Sequence, residues 1–164
     1  MLEAELSAAN AKYVNEVNFK MYCFWTGEKK LGKLDGVIDV ESGFINHDEV
    51  VKVKYNSNLI SKSEITNYAK KQNFKPIDKS ENYKTATKDV HYYLLHSDYK
   101  YLPLSSIQKT KINSSLGSNQ SAINYLSPTQ VKWLNSIKKN KPKKLKSLIN
   151  IEEIEVAWSL IKLD

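Results

Sequence analysis

Two apolar periods alternate between Val17 and Ile77, and their order restricts the fold more than any other feature of the chain. Val17, Phe19, Met21 and Cys23 alternate with Asn18, Lys20 and Tyr22, which is the period of a strand with one buried face. A helical segment is predicted next, over Phe24 to Leu34, and Asp35-Gly36 breaks it. A second strand follows from Val37 to Ser42, then a turn at Gly43-Phe44-Ile45-Asn46-His47. In the third strand, Glu49 to Tyr55, the residues Glu49, Val51, Val53 and Tyr55 share a face. Ser61-Lys62-Ser63-Glu64 is a capping box before Ile65, Tyr68 and Ala69, so a second helix runs to Gln72-Asn73. Phe74 to Ile77 forms a short last strand, held to an edge because Pro76 has no amide to donate. The order βαββαβ predicts an α/β (α+β) chain built on a ferredoxin-like, split βαβ core.

Beyond Ile77 the periodicity weakens. Lys79 to Lys88 is polar and reads as a loop, and the tyrosine-rich run from His91 to Leu104 is expected to cross the sheet or border the site. His91 and His96 miss the i, i+4 spacing of a helical metal pair and are read as structural. Helices are expected over Leu104 to Leu116 and over Thr129 to Ile137, the latter capped by Ser127-Pro128. The lysine block from Lys138 to Lys146 reads as a solvated linker. Ile151, Ile154, Trp158 and Ile161 mark the apolar face of a final helix. Three units follow: residues 1–78 as the core, 79–137 as a helical layer packed on it, and 138–164 as a linker with an amphipathic helix.

Composition removes several functions. The net charge of +7 invites a nucleic-acid partner, but all 25 basic residues are lysine, so no guanidinium is present to read guanine bidentately. No apolar run approaches the ~18 residues of a membrane span. The N-terminal MLEAELSAANAKYVNE lacks the basic and apolar regions of a signal peptide, which suits a cytoplasmic protein or an exported one whose leader has been removed. With one cysteine there is no internal disulfide and no multi-thiolate zinc site; no cofactor and no metal are expected.

The predicted topology gives that cysteine a neighbour. In a split βαβ unit the third strand lies antiparallel beside the first, so the end of strand one adjoins the start of strand three. Those ends are Cys23 and Glu49. A thiol at a helix N-terminus gains thiolate character from unpaired amides, and a carboxyl among apolar groups can hold a proton for delivery. Phe24 and Trp25 beside them form an apolar wall. The alternative is plain packing, with Cys23 a small buried hydrophobe and Glu49 an exposed strand end.

Cys23-Phe24-Trp25, Leu34-Asp35-Gly36-Val37, Gly43-Phe44, His47-Asp48-Glu49-Val50-Val51, and Tyr55 with Ile60-Ser61 together resemble the A-type peptide methionine sulfoxide reductases, over Val17 to Tyr68. The resemblance implies an α/β roll in which Cys23 attacks the sulfoxide sulfur and Glu49 protonates the departing oxygen. Phe24 and Trp25 would hold the substrate's methyl group, with Phe44, His47 and Tyr99 (or Tyr101) completing the binding site. It implies a methionine sulfoxide-like small molecule or peptide as substrate. Without a resolving cysteine, the reductant would be an external thiol: thioredoxin, glutaredoxin or a small thiol. The chain departs from the family in several further places. Tyr22 and Thr26 replace the glycines flanking the triplet, Phe44 replaces a tyrosine, the segment before the His-x-Glu run is shortened, and the family's downstream Asp-Gln-Tyr cluster is not found at its spacing. A second resemblance is to heavy-metal-associated domains, whose Met-x-Cys-x-x-Cys loop is matched by Met21-x-Cys23-x-x-Thr26 with one cysteine lost; it implies soft-metal (copper) binding. A third possibility is a thiol sensor or interaction module whose last helix docks through Trp158.

Overall fold

The structure, a computed structural model, describes residues 11–78, 81–140 and 145–161. The expectation about a leader at the N-terminus and that for residues 141–144 of the lysine block fall outside the described residues. The predicted alternation of periods builds β1 (Val14–Lys20), α1 (Phe24–Gly32), β2 (Val37–Ile45), β3 (Asp48–Asn56), α2 (Lys62–Lys71) and β4 (Lys75–Ile77). The strands lie in the order β4-β1-β3-β2, each antiparallel to its neighbour, which is the split βαβ arrangement. A fifth strand, β5 (Tyr83–Thr85), pairs with the far end of β2. It lies within the segment expected to be loop, because three polar-flanked residues are too short to show a period.

Boundaries differ where the site is formed. β1 stops at Lys20 rather than at Cys23: the Met21 amide donates to Glu49 O at 3.1 Å, and the chain then turns so that Cys23, at φ −139°, ψ 112°, becomes the N-cap of α1. β2 continues through the expected turn to Ile45, so Phe44 pairs with Glu49 and only Asn46-His47 reverse the chain. Asn46 takes the left-handed conformation there, at φ 58°. β2 also bulges between Val37 and Asp39.

The first core lies between this sheet and α1 and α2. Val17, Phe19, Val40, Val51, Val53 and Tyr55 meet Phe24, Leu31, Ile65 and Ala69. Gly27 is required on α1, since a Cβ there would collide with Met21 Sδ and Val51. α3 (Tyr92–Leu95) and a 3₁₀ turn at Asp98–Tyr101 lead to α4 (Ser106–Gly117), which packs beside α1, and to α5 (Pro128–Asn140). Around α4 a second core gathers Leu94, Tyr99, Leu102, Leu104, Ile112, Leu134 and Ile137. α5 carries three residues expected in the linker, Lys138 to Asn140. The last helix, α6, is only Ile154–Leu160. Ile151 and Ile161 lie outside it, Ala157 is its buried residue, and Trp158 packs its ring edge on Trp133 at 4.6 Å. Among the described residues no helix is long and apolar enough to cross a membrane.

Candidate functional site

α1 begins with an unusual cap. Cys23 has no side-chain oxygen to accept from the first-turn amides, and it makes no capping bond. Glu49, from β3, supplies the missing acceptor: its Oε2 accepts from the Phe24 amide at 2.8 Å. The carboxyl is thereby fixed against the peptide unit that joins Cys23 to Phe24, and its Oε1 bonds no described residue. Cys23 itself is a free thiol, partly exposed. The Glu49 carboxyl and residue 23 therefore meet at the start of α1, as the strand order requires.

The aromatic wall is larger than the sequence suggested. Phe24 packs on Phe44 at 5.3 Å between ring centroids, close to edge-on, and on Trp25 at 6.2 Å. Trp25 stacks on Tyr92 at 3.8 Å with 16° between the planes. Tyr92 in turn meets Tyr93 edge-on at 5.4 Å and His96 at 4.5 Å. The indole Nε1 of Trp25 is buried with no acceptor among the described residues, an unusual state for so strong a donor.

Tyr93 is the residue that sequence reasoning missed. Burial raises its phenol pKa, and the next cause is charge on Cys23, which places the phenol within electrostatic reach of the thiol. Its ring covers Gly117, where a Cβ would lie 2.6 Å from the ring atoms, and Lys29 Nζ sits 5.8 Å from the ring centroid. The tyrosine-rich run announced an aromatic near the site; nothing in it distinguished Tyr93 from its neighbours. Tyr99, the expected candidate, is buried in the second core with Leu102 and Leu134, and it belongs to packing there. His47 is exposed at the β2–β3 turn and lines an open cavity with Lys20, Met21, Tyr22, Glu49 and Lys75. It makes no bond to Cys23.

Met21 is buried with its sulfur against Gly27, and among the described residues no group of three or more His, Cys, Asp or Glu side chains is placed to hold a metal ion. His96 is exposed. His91 is buried, and its Nε2 lies 3.7 Å from Asp39 Oδ1. Burial and the charge of Lys109 push its pKa down to about 4, so it stands there neutral. No family model matches the chain, and no curated protein matches it.

Proposed function

We propose that the chain is a divergent, thiol-dependent reductase acting on methionine sulfoxide or a closely similar sulfoxide. The observation that carries this reading is the bond between Glu49 Oε2 and the Phe24 amide, which fixes a carboxyl at the peptide unit that follows the free cysteine, next to the packed rings of Phe24, Trp25 and Phe44. In the reaction, the Cys23 sulfur attacks the sulfoxide sulfur while Glu49 delivers a proton to the sulfoxide oxygen. The S–O bond breaks and the oxygen leaves as water with that proton and the thiol's own. Water then attacks the Cys23 sulfur, breaking the new S–S bond: the thioether leaves, Cys23 is left as a sulfenic acid, and the released proton returns to Glu49. Two electrons have passed from Cys23 to the substrate, now a thioether. An external thiol then condenses with the sulfenic acid to a mixed disulfide and water, and a second thiol releases Cys23. Phe24, Trp25 and Phe44 suit the methyl and methylene groups flanking the sulfur. Tyr93, through its phenol, supplies a donor of the kind lost at Phe44.

The test is a single turnover of the reduced protein with the S and R sulfoxides of an N-acetylated methionine ester, counting methionine formed and trapping sulfenate. About one equivalent from the S form alone is expected, with none from Cys23→Ser. Glu49→Gln should slow the step by roughly 10²-fold or more, the usual worth of a positioned acid. A freely titratable thiol that yields no product would remove sulfoxide reduction from consideration.

A further inference from the structure

Among the described residues Glu28 is the most deeply buried acid, 1% exposed, and the proposed reaction does not use it. It sits on α1 just over one turn beyond Cys23. Its Oε1 accepts from Ser42 Oγ at 2.6 Å and from the His91 amide at 2.9 Å. Its Oε2 accepts from Asn113 Nδ2 at 3.2 Å and from the Tyr92 amide at 3.3 Å. A carboxylate offers about four acceptor sites, and all are taken, by donors from β2, α4 and the entry to α3.

Two of those donors are the backbone amides that lead into Tyr92 and Tyr93. Trp25 and Glu28 are three apart on α1 and share a face. One helix face thus grips the same residue twice: Trp25 stacks on the Tyr92 ring while Glu28 holds its backbone. The turn needs holding, because His91 is left-handed at φ 55°, a conformation that is strained for a residue with a Cβ. We propose that Glu28 is a positioning residue whose ionised carboxylate fixes the His91–Tyr92 turn against α1, and with it the Tyr92 and Tyr93 side of the thiol's cup. This rests on the cup being the ligand site, yet its geometry is measurable with no ligand present.

The device is sensitive to protons. Burial raises the Glu28 pKa to about 7 against the pull of its four donors. Protonation puts a hydroxyl among four donors, and only Ser42 Oγ is able to turn and accept it. The hydrogen bonds that pin the turn therefore change as pH crosses about 7, while burial itself favours the protonated form. Around Glu28, α1 contributes Lys29, β2 contributes Asp39 and Glu41, α3 contributes His91, Tyr92 and Tyr93, and α4 contributes Lys109 and Lys111. His91 is neutral across that window, and Tyr93 is raised above the ordinary phenol value. Lys109 and Lys111 each hold two backbone carbonyls. Asp39 is raised by burial and so serves as the control.

Trp133→Phe with Trp158→Phe leaves Trp25 as the sole tryptophan. Its near-ultraviolet circular dichroism and acrylamide quenching, followed from about pH 5 to about pH 9, then report the stack on Tyr92. The expected result is a transition near pH 7 that survives Asp39→Asn and disappears in Glu28→Gln. In that variant the amide nitrogen must face two of the four donors, so quenching stays high at every pH. KM for the sulfoxide rises about 10-fold there, while alkylation of Cys23 by iodoacetamide changes little. Should Glu28→Gln fail to fold, Ser42→Ala removes a bond that favours the ionised form and must move the transition to higher pH. A Trp25 signal indifferent to pH and to both substitutions overturns the proposal, whether or not the protein reduces sulfoxides.

Discussion

The sheet-side core and the helical core bury their residues by different means. In the first, Val17, Phe19, Val51 and Val53 face inward by simple alternation, and their polar neighbours Glu16 and Lys54 face out. In the second, α4 is buried along Ile107 to Ser115 without interruption, although most of those residues are polar. Its side chains instead bond backbone. Lys111 Nζ donates to Gly32 O and Leu34 O at the end of α1, Lys109 Nζ to Ile149 O and Ile151 O, and Ser114 Oγ to Lys29 O. The lesson is that a helix can be central without an apolar stripe, provided each buried donor meets an acceptor.

The largest expected effect comes from breaking such a set. Gln108 and Gln130 sit at equivalent places in the first turns of α4 and α5. They bond each other in both directions, at 2.8 and 3.1 Å. Each also bonds its own Ser cap and a carbonyl, Tyr125 O for one and Pro103 O for the other. Gln108→Leu orphans several of these groups at once and should cost about 4 kcal/mol in urea unfolding. Adding Gln130→Leu should cost less than the second change alone, by about 1 to 3 kcal/mol, since the partners are already lost. Strict additivity would mean the two glutamines stabilise their helices separately, and the contrast between the cores would weaken.

Next in size is a pair of opposed titrations where the cores meet. His91 has its pKa lowered to about 4, so the folded state resists its protonation; that stability is present above about pH 6.5 and lost as pH falls toward 4. Glu28 has its pKa raised to about 7, so its stability is present below about pH 4.5 and lost as pH rises through 7. The two nearly cancel over the range they share. Glu28→Gln should therefore expose the His91 term, with stability falling by about 3 kcal/mol between about pH 7 and pH 4. His91→Asn should expose the reverse slope. Melting each variant across this range checks both, and matching flat profiles would refute the compensation.

On the sheet side the effect is smaller and of another kind. Val53, paired with Val17 on one strand and Val40 on the other, loses two methyls in Val53→Ala and should cost about 2 kcal/mol. That cost should be independent of pH and salt, because no polar group is orphaned. A cost that varies strongly with pH would tie the first core to the titrating network after all.

The same difference decides what was legible beforehand. Alternation in β1 and β3 and the Ser61–Glu64 capping box were enough for the strand order and for setting Glu49 beside the start of α1. Where a strand is short or a helix lacks an apolar stripe, as in β5 and α4, periodicity carries no signal. Tyr93 and Glu28 reach the site through backbone bonds across long stretches of chain, and only folded geometry displays them. Tyr99 packs in the second core instead: residue type indicated an aromatic, while position depends on how α3 is pinned.

The smallest effect concerns the ion pair nearest the site. Lys20 Nζ lies 2.7 Å from Asp48 Oδ2, closer than Lys109 or Lys111 lies to most of its carbonyls. Yet the two side chains are 45% and 51% exposed, so water screens the pair and ordering two flexible chains offsets most of the attraction. A double-mutant cycle of Lys20→Met and Asp48→Asn should give a coupling of no more than about 0.5 kcal/mol, vanishing at high salt. The corresponding change on α4, Lys109→Met, leaves two carbonyls without their donor away from water and should cost several times more at any salt concentration. If the surface pair proved as strong as the buried lysine, exclusion of water would not be what makes the polar bonds of α4 effective, and distance alone would have to explain them.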